Sequence, residues 1–127
     1  MQNSKLDEKM LRSAAFFTAG LIGFAIGLNH AKAAEAPPFD LRDPKQIAAG
    51  LQKFNATCTQ YCHGKDGRIG RGPELRRRPD LSAEQIHATI ANGRRESSKV
   101  MPSWKGSLTD ETIWQLTAYI VSLRDAQ

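Results

Sequence analysis

Scarcity narrows this chain before any motif does. Its 127 residues include two cysteines, three methionines and three histidines. At most one disulfide can form, and donors for a bound metal are few. The longest apolar run, Ala14–Leu28, has fifteen residues, short of the roughly 20 that a membrane-crossing helix needs. No long alternation of apolar and polar residues marks a sheet, and no internal repeat is visible.

What the N-terminus does have is an order. Lys5, Lys9 and Arg12 precede the apolar run, and small residues Ala31 and Ala33 follow it, as in a secretory signal peptide. Residues 1–33 are therefore expected to be cut away and the rest exported to the periplasm; left uncut, the same run would anchor the chain in a membrane. Cleavage removes Met1, Met10 and His30. The remaining 94 residues keep 14 of 18 Lys/Arg and 11 of 13 Asp/Glu, a net charge of +3. That is too mild a basic balance for nucleic acid to be a partner. Residues 34–44, rich in proline, alanine and charge, read as a flexible lead-in, leaving 45–127 as one domain. So small a core usually needs a disulfide, a metal or a large cofactor.

Three helices are legible. Pro44–Thr57 carries Ile47, Leu51 and Phe54 at helical spacing, with proline in its first turn. A second begins after Ser82, with Gln85 completing a capping box, buries Ile86 and Ile90, and stops at Gly93. A third follows Thr109, with Asp110 and Glu111 at its positive end and an apolar stripe of Ile113, Leu116, Ile120 and Leu123. Trp114 reads as helix packing. Between the first two helices lies Gly64–Asp80, with four glycines and two prolines. The expected class is all-α, with glycine-rich connections around something that fills the middle.

The chemistry sits in Cys58–Gly64, CTQYCHG. Two thiols followed at once by a histidine suggest covalent haem attachment, in which the thiols add across the haem vinyl groups and the histidine reaches the iron. Here three residues separate the thiols instead of two. A Cys58–Cys62 disulfide is a rival, permitted by export. A structural zinc site would have to find four ligands among Cys58, Cys62, His63 and His87 or a carboxylate. A thioredoxin-like redox pair needs two intervening residues and an α/β scaffold. On the far side, Met101 is the sole methionine left after cleavage, and His87 is its rival as a second iron ligand.

From Ala49 to Leu123 the sequence resembles the class I (monohaem) cytochrome c family. Gly50, Phe54 and Cys58 repeat that family's interval of four, Leu116 and Tyr119 match its C-terminal helix, Gly72-Pro73 its glycine–proline pair, and Met101-Pro102-Ser103-Trp104 its distal segment. The resemblance implies one covalent haem c held by Cys58 and Cys62, His63 and Met101 as iron ligands, and a Pro73 carbonyl that orients His63. Trp104 is as readily a haem-pocket residue as a core one. Tyr61, beside the extra spacing, carries no assigned role.

The implied function is one-electron transfer, not catalysis, between a periplasmic dehydrogenase and a downstream cytochrome or terminal oxidase. The alternative is a haem protein with a labile distal side that binds or senses a small gas. Single attachment through Cys62 alone is a further possibility. Arg76, Arg77 and Arg78 read as a solvated run or, with Lys65, Arg68 or Arg71, as charges that balance haem propionates or steer an acidic redox partner.

Overall fold

The computed structural model describes residues 36–126; the expected signal segment 1–33 lies outside the described residues. Helix α1 spans Pro44–Thr57. The Asp43 side chain accepts a hydrogen bond from the Lys45 amide at 2.9 Å, and Pro44 fills the first turn, where its missing N–H costs nothing. Just before it, Leu41 packs onto the core, so the end of the expected lead-in is part of the domain.

Helix α2 covers Ala83–Asn92 and α3 covers Asp110–Arg124. At the start of α2, the Ser82 hydroxyl accepts from the Gln85 amide while the Gln85 side chain accepts from the Ser82 amide, so two otherwise orphaned donors are satisfied reciprocally. Thr109 caps α3 through the Thr112 amide. At the other end of α3, Arg124 donates to the Leu81 carbonyl at 2.9 Å, tying the approach to α2 onto the last turn of α3.

The three helices share one core of Phe54, Leu75, Ile86, Ile90, Ile113, Leu116, Tyr119, Ile120, Val121 and Leu123, with Ala91. Each large side chain buried there contributes about 1.5–3 kcal/mol. Helices α1 and α3 approach most closely at Gly50. A Cβ at that position would fall 2.7 Å from the Gln115 carbonyl carbon and 2.9 Å from Tyr119 Cβ, so only glycine permits the contact. One turn on, the Phe54 and Tyr119 rings meet at 5.2 Å with a 58° tilt. Trp114 is fully buried and stacks on His87 at 4.0 Å.

One element was not expected. Arg94–Glu96 (β1) and Lys99–Met101 (β2) form a short antiparallel hairpin with Arg94 opposite Met101 and Arg95 opposite Val100. Every residue in it except Met101 is exposed. With no buried face there is no alternation for the sequence to display. The architecture is otherwise the all-α one expected.

Candidate functional site

Helix α1 does not end at Cys58; it widens. The Cys58 amide still donates to Phe54 four residues back, but the His63 amide donates to the Cys58 carbonyl and the Gly64 amide to the Thr59 carbonyl, both at 3.0 Å. These are five-residue steps, so Thr59–His63 is one turn of π-helix. Such single turns absorb one inserted residue inside an α-helix and recur at functional sites. The extra residue of CTQYCHG is accommodated in this way, by widening a turn without breaking the helix. The insertion faces solvent: Gln60 is exposed and Tyr61 is 76% exposed.

The widened turn carries His63 inward. Its exposure is 9%, and its ring faces Phe54 at 6.1 Å. The glycine-rich connection folds back over it. The Gly72 amide donates to the Cys62 carbonyl at 2.6 Å, and a Cβ on Gly72 would lie 2.9 Å from His63 Cε1. Gly67 and Leu75 then close the loop onto α3: Leu75 bonds back to the Gly67 carbonyl, and Leu123 lies 3.3 Å from where a Gly67 Cβ would be. Burial lowers the His63 pKa below its usual value, while the Pro73 carbonyl pulls it the other way. That carbonyl is near enough to act on the ring, yet it falls short of a full hydrogen bond, and buried Nδ1 has no partner. A neutral imidazole with one nitrogen near a carbonyl suits metal ligation through the other.

Cys58 is half-buried and Cys62 exposed, and the two are not bonded to each other. Burial pushes the Cys58 thiol up to about 11; the neighbouring Cys62 adds to this, and Lys53 opposes it. Among the described residues no three His, Cys, Asp or Glu side chains gather as a metal-binding group.

Met101 and Trp104 reach the same core from the opposite end of α2, and Cys58 packs against it too. The last carbonyls of α2 hold their segment in place. The Trp104 amide bonds to Ile90, the Lys105 amide to Ala91, and the Ser103 hydroxyl to Ala91 at 2.6 Å. Carbonyls that a helix end would leave orphaned therefore anchor the Met101 loop. Gly93, with φ of +75°, turns the chain out of α2 directly against Met101-Pro102-Ser103. A Cβ there would fall 2.6 Å from the Met101 carbonyl oxygen. Sequence reasoning read Gly93 only as a helix stop; the Asn92-Gly93 step eight residues before Met101 was the available signal. His87 is directed elsewhere, since its Nε2 pairs with Asp110 at 2.8 Å and its ring covers Trp114. The structure thus brings Cys58, His63, Met101 and Trp104 to one core, leaves Cys62 and Pro73 at its rim, and sets His87 apart.

These residues fit a haem. An inward imidazole has a free buried nitrogen beside a carbonyl, one unpaired thiol stands on its own turn and another just before it, and a thioether packs on the same core. The comparisons with known proteins agree. Residues 45–120 match the family described as cytochrome c oxidase, cbb3-type, subunit III. The chain is 37% identical over 84 residues to the cbb3-type oxidase subunit FixPc of Rhizobium leguminosarum bv. viciae, covering 64% of this chain and 29% of that one. It thus spans less than a third of that relative's length. Cytochrome c6 of Anabaena variabilis is 30% identical over 84 residues, covering 61% of this chain and 92% of the relative. The crystal structure of cytochrome cL from Methylophaga aminisulfidivorans MPT superposes with a TM-score of 0.54 at 27% identity, covering 65% of this chain and 55% of that one. The chain belongs to the cytochrome c family, as a class I monohaem domain of the kind found in cbb3-type oxidase subunit III, and its cofactor is covalently bound haem c.

Proposed function

We propose that this protein is a periplasmic one-electron carrier that takes electrons from a periplasmic dehydrogenase and passes them to a downstream cytochrome or terminal oxidase. Bound haem supplies the iron couple; the polypeptide holds it, shields it and sets its ligands. In this reading Cys58 and Cys62 both attach the haem. His63 and Met101 would hold the iron, the Pro73 carbonyl would orient His63, and Trp104 would line the pocket. The observation that carries the reading is the buried His63 ring, with an unpartnered Nδ1 beside the Pro73 carbonyl. Among the described residues no helix is long and apolar enough to cross a membrane. The periplasmic location rests on the signal-like order of residues 1–33. A relative named as an oxidase subunit supports an oxidase as acceptor; the dehydrogenase as donor is the proposal's own step.

With His63 and Met101 both holding the iron, a bound haem would keep no free position for a small ligand, which would suit outer-sphere transfer and not ligand capture. Spectroelectrochemistry should therefore give a one-electron Nernst slope, and reduced protein exposed to carbon monoxide should keep its spectrum. Fast, complete carbon monoxide binding by the native protein at neutral pH would contradict the carrier reading and favour a gas-binding one.

A further inference from the structure

Where α1 passes into the π turn, a side chain serves a carbonyl that the backbone leaves. On a regular helix the Asn55 carbonyl would take the Thr59 amide. The bonds leading into the turn run instead from the Cys58 amide to Phe54, from His63 to Cys58 and from Gly64 to Thr59. Asn55 is met by the Thr59 hydroxyl, which donates to its carbonyl at 2.9 Å. A threonine that bonds back to the carbonyl four residues earlier weakens the helical ladder there and tends to bend it. This step decides which residue stands across the turn from Cys58. In an α-helix the amide bonded to the Cys58 carbonyl would belong to Cys62, four residues on; in the π turn it belongs to His63. The widened turn thus gives His63 the place that a two-residue spacing between the thiols would give it on an ordinary helix. Were the turn to tighten by one residue, Cys62 would take that place and His63 would be carried round from the interior, where it is 9% exposed.

We propose that Thr59 is the positioning residue for double haem attachment: its hydroxyl, bonded to Asn55, holds the π turn open so that Cys58 and Cys62 both attach while His63 faces inward. This rests on the haem attachment in the reading above and adds the residue that makes the longer spacing workable. In each attachment a thiol adds across a vinyl double bond. Sulfur bonds one carbon and the thiol hydrogen passes to the other, so no oxidant or reductant is consumed. Thr59 takes no part in that bond making; it decides whether the turn presents both thiols. Gln60 is exposed, and a chain without it has two residues between the thiols and no need of the widened turn.

The test compares holoproteins matured in the periplasm of one host, each denatured and treated with iodoacetamide. Mass then counts free thiols, and the pyridine haemochrome counts saturated vinyl groups. Nearly every wild-type molecule should be attached at both cysteines. Thr59→Val keeps the branching and loses the hydroxyl; it should raise the singly attached fraction about fivefold, the worth of one ordinary hydrogen bond. Thr59→Ser keeps the hydroxyl and should match wild type. In a chain lacking Gln60, Thr59→Val should change nothing. A Thr59→Val protein that yields no holoprotein, while its counterpart lacking Gln60 matures normally, is the expected result in its strongest form. Wild-type attachment in Thr59→Val overturns the role of Thr59 alone. So does an equal loss in Thr59→Ser, an equal loss in the chain lacking Gln60, or a wild-type protein attached at one cysteine. A wild-type protein without covalent haem overturns the carrier reading and this one together.

Discussion

Gly93 and Met101 touch through their backbones: a side chain of even one carbon at Gly93 would fall 2.6 Å from the Met101 carbonyl oxygen and 2.8 Å from the Pro102 carbonyl carbon. The last turn of α2 and the segment carrying the proposed distal ligand are thus one unit, fixed by Gly93 at φ of +75° and by the bonds from Ser103, Trp104 and Lys105 to Ile90 and Ala91. Gly93→Ala meets both an unfavourable φ and a backbone collision. It should lower stability by roughly 2 kcal/mol and weaken the methionine–iron charge-transfer band of the oxidised protein. Chemical denaturation and the visible spectrum check both effects; full stability with an intact band would show that the loop moves freely.

Gly50 makes the comparable contact between α1 and α3. Gly50→Val must push the helices apart at the Phe54–Tyr119 pair, where the core is tightest. The expected loss is about 3 kcal/mol or more, read as a lower denaturation midpoint, while the ligand-sensitive spectrum of whatever protein remains folded is unchanged.

Ser82→Ala isolates local stability from the haem site. It removes one half of the capping box and leaves the Gln85 amide without its acceptor. About 1 kcal/mol should be lost, with the absorption spectrum of the native state as in wild type. A spectral change would mean that the start of α2 is coupled to the iron ligands.

The π turn makes a prediction about attachment. Because the helix is continuous through Cys58 and both thiols are unpaired, both should form thioethers despite the extra residue. The pyridine haemochrome of the native protein should match two saturated vinyl groups, and that of Cys58→Ser should shift to the one-vinyl position. An identical spectrum in the two proteins would mean that Cys62 alone attaches the haem.

Much of this organisation was legible because it is written in local chemistry. The start of α1 follows from Pro44, the capping box of α2 from Ser82 and Gln85, and the start of α3 from Thr109-Asp110-Glu111. His63 stood out as a candidate ligand through its adjacency to Cys62. What stayed hidden is what only tertiary structure decides. The hairpin that carries Met101 has no buried face and so no periodicity. The π turn depends on where the Cys58 and Thr59 carbonyls find donors, which composition does not reveal. The contacts of Gly72 with His63 and of Gly93 with Met101 are close approaches made where the chain reverses within eight or nine residues, and residue type alone does not say which atoms meet there. A glycine in sequence signals that something is close, without saying what.

The most direct test of the account is the absorption spectrum of the oxidised holoprotein, recorded for wild type and for Met101→Ala. The account predicts a c-type haem spectrum in both, with a methionine–iron charge-transfer band in wild type that is absent from the variant. A band that survives the substitution, or a wild-type protein that lacks it at neutral pH, would contradict the assignment of Met101 as an iron ligand.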